Sequence, residues 1–168
     1  MKKLLALLIG LGLLAIPVAV QAGNTADITV TATPQTINIG VNPDSYDFGT
    51  VEPSATPYTS TTYFTLSNTS NTQTDQTISV TTSSWSGGSG WTHSDTCTQG
   101  ADTAGLKANR GGTWGTGDIV VKYSSPLYIY EDCPANTGYS FGLKLWAPTS
   151  FSDAVTKQIT VRVTAVAG

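Results

Sequence analysis

The chain has 168 residues, eight Lys or Arg against eleven Asp or Glu, one histidine and a formal net charge of −3. No basic run occurs, which argues against nucleic acid and anionic lipid as partners, because both are held by Lys/Arg clusters; the single His93 excludes a histidine-rich metal centre. Threonine stands at 28 positions, and no stretch repeats apolar residues at helical spacing over a dozen residues, so the composition points to an all-β chain.

In chain order, Lys2 and Lys3 precede an apolar run from Leu4 to Val20 that is broken by Gly10, Gly12 and Pro17. Val20-Gln21-Ala22 then places small residues at the −3 and −1 sites. This is the pattern of a signal peptide cut after Ala22. The run is near the length of a spanning helix, but Pro17 and the small-residue exit favour cleavage. The expected organisation is a signal peptide over 1–22, an N-terminal strand over 23–34 and one β-sandwich domain over 35–168. The product would be extracellular, free of the membrane, with six basic and eleven acidic residues.

The mature chain opens on "ADITVTATPQTINIG", residues 26–40. Ile28, Val30 and Ala32 alternate with threonines; after Pro34 the alternation resumes at Ile37, Ile39 and Val41. Alternation continues in "TYFTLSN", in "QTISVTT", in the more continuously apolar "DIVVKYS" (118–124) and in "YSFGLKLWAP". It ends in "KQITVRVTAV", with Ile159, Val161, Val163 and Ala165 on one face. Each segment carries the period-2 mark of a strand with one buried face. Between them lie "NPDSYDFGTVEPSATP" (42–57) and two glycine-rich loops, 83–95 and 107–118. Seven or eight short strands so separated predict an antiparallel two-sheet sandwich of immunoglobulin-like or jelly-roll type, with a closed barrel as the competing architecture. Cys97 and Cys133 are an even pair in an exported chain, so a disulfide is expected, worth about 3–4 kcal/mol for a loop of this length.

"YDFGTVEP" followed by "YFTLSNTSNTQTDQTISV" resembles immunoglobulin-like domains of the hydin and major-sperm-protein type. The matching positions are Asp47, Phe48, Gly49 and Val51, then Phe64 and Asn68, then Ile78 and Val80. The match spans residues 44–82 and speaks to fold. It departs after Val51, where Pro53-Ser54-Ala55 replaces the usual glycine turn. As a whole, the layout of signal peptide, β-prone segment and Thr-rich sandwich is similar to secreted fibre subunits, the TasA/camelysin-type matrix fibres and the bundling pili of archaea. The cysteine pair is an addition to that layout. The resemblance implies that the N-terminal segment completes a neighbour's sheet, making a head-to-tail homopolymer whose partner is the chain itself.

Donation suits the residues. Ile28, Val30 and Ala32 would anchor the strand in an acceptor groove, and Pro34, which cannot donate to a ladder, would be the hinge between a donated strand (27–33) and a retained one (36–41). The other destination is a kinked first strand shared between the two sheets of one molecule. Catalytic chemistry finds little support: His93 sits in a glycine-rich loop, where solvation is the ordinary outcome, and no nucleophile-elbow motif accompanies it. The aspartates at 47, 95, 102, 118 and 132 fall in turns, where such residues bond their own backbone. Glu131-Asp132 could lend oxygens to Ca²⁺ but lacks loop-motif spacing, and "NRGGTWGTG" lacks the ending of a phosphate loop. No catalytic residue, cofactor or metal ligand is assigned, and the chain is read as a non-enzyme.

Trp85, Trp91, Trp114 and Trp146 can stack on sugars, plug an open end of the sandwich or enter a subunit contact. A secreted carbohydrate-binding module using these rings is therefore the alternative function. Asn68-Thr69-Ser70 is a glycosylation sequon in an expected hairpin turn, so attached glycan is a further expectation.

Overall fold

A computed structural model describes residues 29–168, and the chain divides between Thr33 and Pro34 into two units. The expected signal peptide (1–22) and the expected anchor Ile28 lie outside the described residues. In the first unit, residues 29–33 carry no strand and are exposed, Ala32 among them and Val30 at 86 %.

The second unit is all-β, with no helix among the described residues. Its nine strands are β1 (Ile39–Asn42), β2 (Phe64–Asn68), β3 (Thr74–Val80), β4 (Thr92–His93), β5 (Thr103–Asn109), β6 (Ile119–Val121), β7 (Leu127–Cys133), β8 (Thr137–Trp146) and β9 (Val161–Ala167). One sheet runs β1-β2-β8-β5-β4, with β6 also paired to β5; the other runs β7-β3-β9. All pairings between the named strands are antiparallel except β4–β5, which is parallel, so the expected antiparallel sandwich needs that correction.

The period-2 patterns place one face of each sheet in a common core. Leu66 of β2, Leu106 of β5 and Phe141 and Leu145 of β8 meet Ile78 of β3 and Ile129 of β7. Each such burial contributes about 1.5–3 kcal/mol. A glycine is required at position 142 of β8, where the segment before β2 crosses the outer face: a Cβ there would lie 2.3 Å from the Ser60 carbonyl oxygen. That approach lets Thr59 bond Leu143 in both directions, its amide donating to the Leu143 carbonyl and its hydroxyl accepting from the Leu143 amide.

Two buried asparagines hold loop ends. Asn109 donates from Nδ2 to the Thr113 and Thr116 carbonyls and to Asp118, while its Oδ1 accepts from the Gly112 amide. Asn68 is 1 % exposed; its Nδ2 donates to the Cys133 and Pro134 carbonyls at 3.1 and 2.9 Å, and its Oδ1 accepts from the Ser70 amide. The expectation of a surface glycan on Asn68 is therefore overturned: in the folded chain its amide hydrogens are committed and shielded.

The expected disulfide is also corrected, since Cys97 and Cys133 are both free thiols. The Cys97 thiol donates to the Leu106 carbonyl, and a Cβ at Gly105 would strike the Cys97 Cα at 2.7 Å. Cys133 lies beside Asn68. On β8, Leu106 is paired with Leu145 and Asn68 with Thr137, near opposite ends of the strand. Eight residues of strand put the two sites on the order of 25 Å apart, far beyond the reach of a disulfide. Denatured, unreduced protein is expected to titrate two thiols per chain with a chromogenic thiol reagent; a titre near zero would restore the bridge. Burial pushes the Cys97 thiol up to about 11, and it pushes Cys133 up as well, with Asp75 and Asp132 adding to it. Both thiols are thus poor nucleophiles at neutral pH.

Candidate functional site

The ends of the two sheets define a flank. Ser79 of β3 is matched on one side to Arg162 of β9 and on the other to Lys122, the residue that follows β6. Lys122 therefore lies on the β7 side of β3, so β7 and β6 share one flank of the sandwich. The opposite flank is left to the edge strands β9 and β1.

This second flank is incompletely covered. Inward-facing residues of the central strands are buried, with Leu66 and Ile78 fully enclosed, whereas Ile39 and Val41 of β1 and Val161 and Val163 of β9 are only partly buried against the same core. Ala165 shares that half-burial. β9 keeps an unbroken seven-residue register with β3, from Val80↔Val161 to Thr74↔Ala167. Its other edge is unpaired among the described residues. Edge strands are ordinarily protected by bulges, prolines or several charges; within β9, Arg162 is the one charge. The flank thus offers ladder hydrogen-bonding groups and a half-covered apolar row together.

No protein-family model, curated protein or solved structure matches the chain.

The other half of the expected exchange lies at Pro34. From Pro34 onward the chain is tied to the β2–β3 turn: Asn71 donates from Nδ2 to the Pro34 carbonyl, the Thr36 amide donates to Asn71 Oδ1, and the Asn38 amide donates to Ser70 Oγ. The strand expected over 36–41 is shorter and later, Ile39–Asn42, because residues 36–38 bond turn side chains and turn backbone instead of a neighbouring strand.

The remaining candidates separate. Trp85 and Trp91 are buried, 5.7 Å apart between ring centroids, with Phe151 stacked on Trp91. They close the core beneath the 83–93 hairpin, so sugar stacking by these two rings is corrected. Trp114 is half-buried and donates from Nε1 to the Thr59 carbonyl; Trp146 is half-buried on the outer face of the first sheet. His93, expected to be solvated, is buried in β4 and donates from Nε2 to the Val121 carbonyl at 2.7 Å. Asp95, 3.8 Å from the His93 Nε2, accepts from the Ser124 hydroxyl, and no serine hydroxyl bonds the imidazole among the described residues, which is not the order of a nucleophilic triad. In the 107–118 region, the Gly112 and Gly115 amides are consumed by Asn109 and Asp118 and do not form an anion cradle. Asp132 lies in β7 rather than in a turn, with its carboxylate on Gln73.

Three aspartates stitch loops together. Asp95 accepts from the Tyr123 and Ser124 amides, Asp102 from the Ser152 amide and hydroxyl, and Asp153 from the Ser89 amide and Lys157. Desolvation pulls Asp95 upward, but hydrogen bonds from Ser124 and Tyr123 outweigh it and hold the group low. Ser152 lowers Asp102, and Lys157 with the Ser89 and Val155 amides lowers Asp153 strongly. A carboxyl whose folded value is depressed stabilises the fold above its unfolded value, about 3.9, and loses that contribution as pH falls. Thermal melts are expected to be level from about pH 7 to 5 and to drop below about pH 4. A melting temperature that holds down to about pH 2 would contradict this.

Proposed function

We propose that the chain is a structural subunit of an extracellular filament, assembled head-to-tail by donation of its N-terminal strand to a neighbour. The open flank at β9 carries this reading. The segment over 27–33 and β9 are each seven residues long. Ile28, Val30 and Ala32 repeat at the spacing of Val161, Val163 and Ala165, so an added strand would lay its apolar side over the half-covered row while its backbone bonds the free edge. Residues 29–33 are exposed and unassigned to any strand, which suits a segment whose sheet is supplied by another copy. Because donor and acceptor differ, the contact need not close on itself, and repetition yields a filament. Pro34 is the hinge.

Within this reading the sandwich is of the immunoglobulin-like or jelly-roll type. The Asp47–Gly49 turn supports it: Asp47 accepts from the Gly49 amide at 2.7 Å, Gly49 has φ 67°, and Phe48 turns toward the core. Export by a signal peptide cut after Ala22 belongs to the same proposal. The test is negative-stain electron microscopy of the mature protein, residues 23–168, with light scattering on the same sample. Long thin filaments are expected; a clean monomer at high concentration without denaturant would overturn the proposal.

A further inference from the structure

The outer face of the first sheet carries a cluster that strand exchange does not use. Lys107 of β5 and Lys144 of β8 are direct cross-strand partners. Like charges so opposed are unfavourable, and among the described residues neither lysine forms a salt bridge. Both ammonium groups instead lie over Trp146, at 4.6 and 4.8 Å from the ring centroid. That keeps them roughly 10 Å apart or less, within about one Debye length at moderate salt. Lys144 also lies 5.5 Å from the ring of Tyr58, which is 59 % exposed, and the Trp114 ring follows at 5.8 Å from Tyr58. The nearby carboxylate of Asp118 is engaged by Asn109 and the Gly115 amide.

We propose that this face binds an acidic polysaccharide, with uronate carboxylates meeting Lys107 and Lys144 and a sugar ring stacking on Tyr58. An exposed aromatic surface takes the apolar face of a sugar ring. Two cations held together without a salt-bridge partner favour a carboxylated sugar over a neutral one, and its binding relieves their repulsion. The net negative charge of the chain disfavours nucleic acid, whose charge density is far higher. The proposal is independent of the strand exchange, because the face belongs to the outer side of β5 and β8 and not to the β1–β9 flank.

The experiment is affinity electrophoresis of the mature protein through gels containing polygalacturonate, its methyl ester or dextran. Retardation is expected in polygalacturonate alone and should weaken as salt rises. The double variant Lys107→Gln/Lys144→Gln should lose about tenfold or more in affinity while its melting temperature stays level or rises, since a like-charge pair is removed. Tyr58→Ala, at an exposed position, should weaken binding and leave the fold intact. Equal retardation in the ester or in dextran, or unchanged binding by the double lysine variant, would overturn the proposal. So would a change in the variant's own assembly size by sedimentation without polysaccharide, which would make the face a contact between copies.

Discussion

Removing residues 23–33 should turn filaments into monomers that remain folded. A chain beginning at Pro34 keeps every strand of the sandwich and the bonds that tie residues 34–38 to the β2–β3 turn. What it loses is the proposed donor. Ile28 and Val30 alone are worth about 1.5–3 kcal/mol each when buried, so the subunit contact should weaken by a factor on the order of 10² to 10⁴. The complementary variant Val163→Asp keeps the donor and places a charge in the acceptor row, which is strongly unfavourable once covered. Mixing the two supplies one intact donor and one intact acceptor, and sedimentation should then show one-to-one dimers and nothing longer. The milder Val163→Thr guards against loss of fold. Filaments from the truncated chain, or no dimers from folded partners, would show that the strand is not the connector.

Asn68→Asp should be among the most damaging single changes to stability. The native Nδ2 donates to three backbone carbonyls, those of Thr72, Cys133 and Pro134, from a position 1 % exposed; a carboxylate would bury a charge against acceptors it cannot satisfy, a loss of about 3–5 kcal/mol. Asn68→Ala leaves those carbonyls unpartnered without adding charge, and about 1–3 kcal/mol is expected. Urea unfolding of the three proteins gives the order native, Ala, Asp. A native-like midpoint for the aspartate variant would mean that the side chain is solvated, which would reopen the sequon.

Much of the sandwich was legible as alternation. β2, β3, β8 and β9 fall where the period-2 patterns placed them, because a strand with one buried face must write that face into every second residue. β5 and β7 were not legible. "TAGLKAN" spends its inward positions on Ala104, Leu106 and Ala108, too small and too mixed to rise above a glycine-rich context, while "LYIYEDC" sets an acid beside apolar residues on one face and an acid beside two tyrosines on the other. Missing β5 hid Lys107 in an apparent loop and with it the pairing of Lys107 with Lys144. His93 was misjudged for a similar reason: the two-residue β4 draws its order from its neighbour β5 rather than from its own pattern. The cysteine pair shows the limit of counting. Even number and export argue for a bridge, but only the register of β8 reveals that the two thiols lie near opposite ends of one strand.

By itself, the sequence determined that the chain is strand-built, that it is poor in charge and in titratable chemistry, and that a seven-residue alternating segment stands before Pro34. These are local properties, written in residue type and spacing. The tertiary structure decided which strands are edges, that β9 lies on the flank away from β6 with its inner row half covered, that Asn68 is an internal fastener, and that two lysines share one tryptophan. Edge position, burial and cross-strand pairing depend on partners distant in the chain, and no local pattern records them.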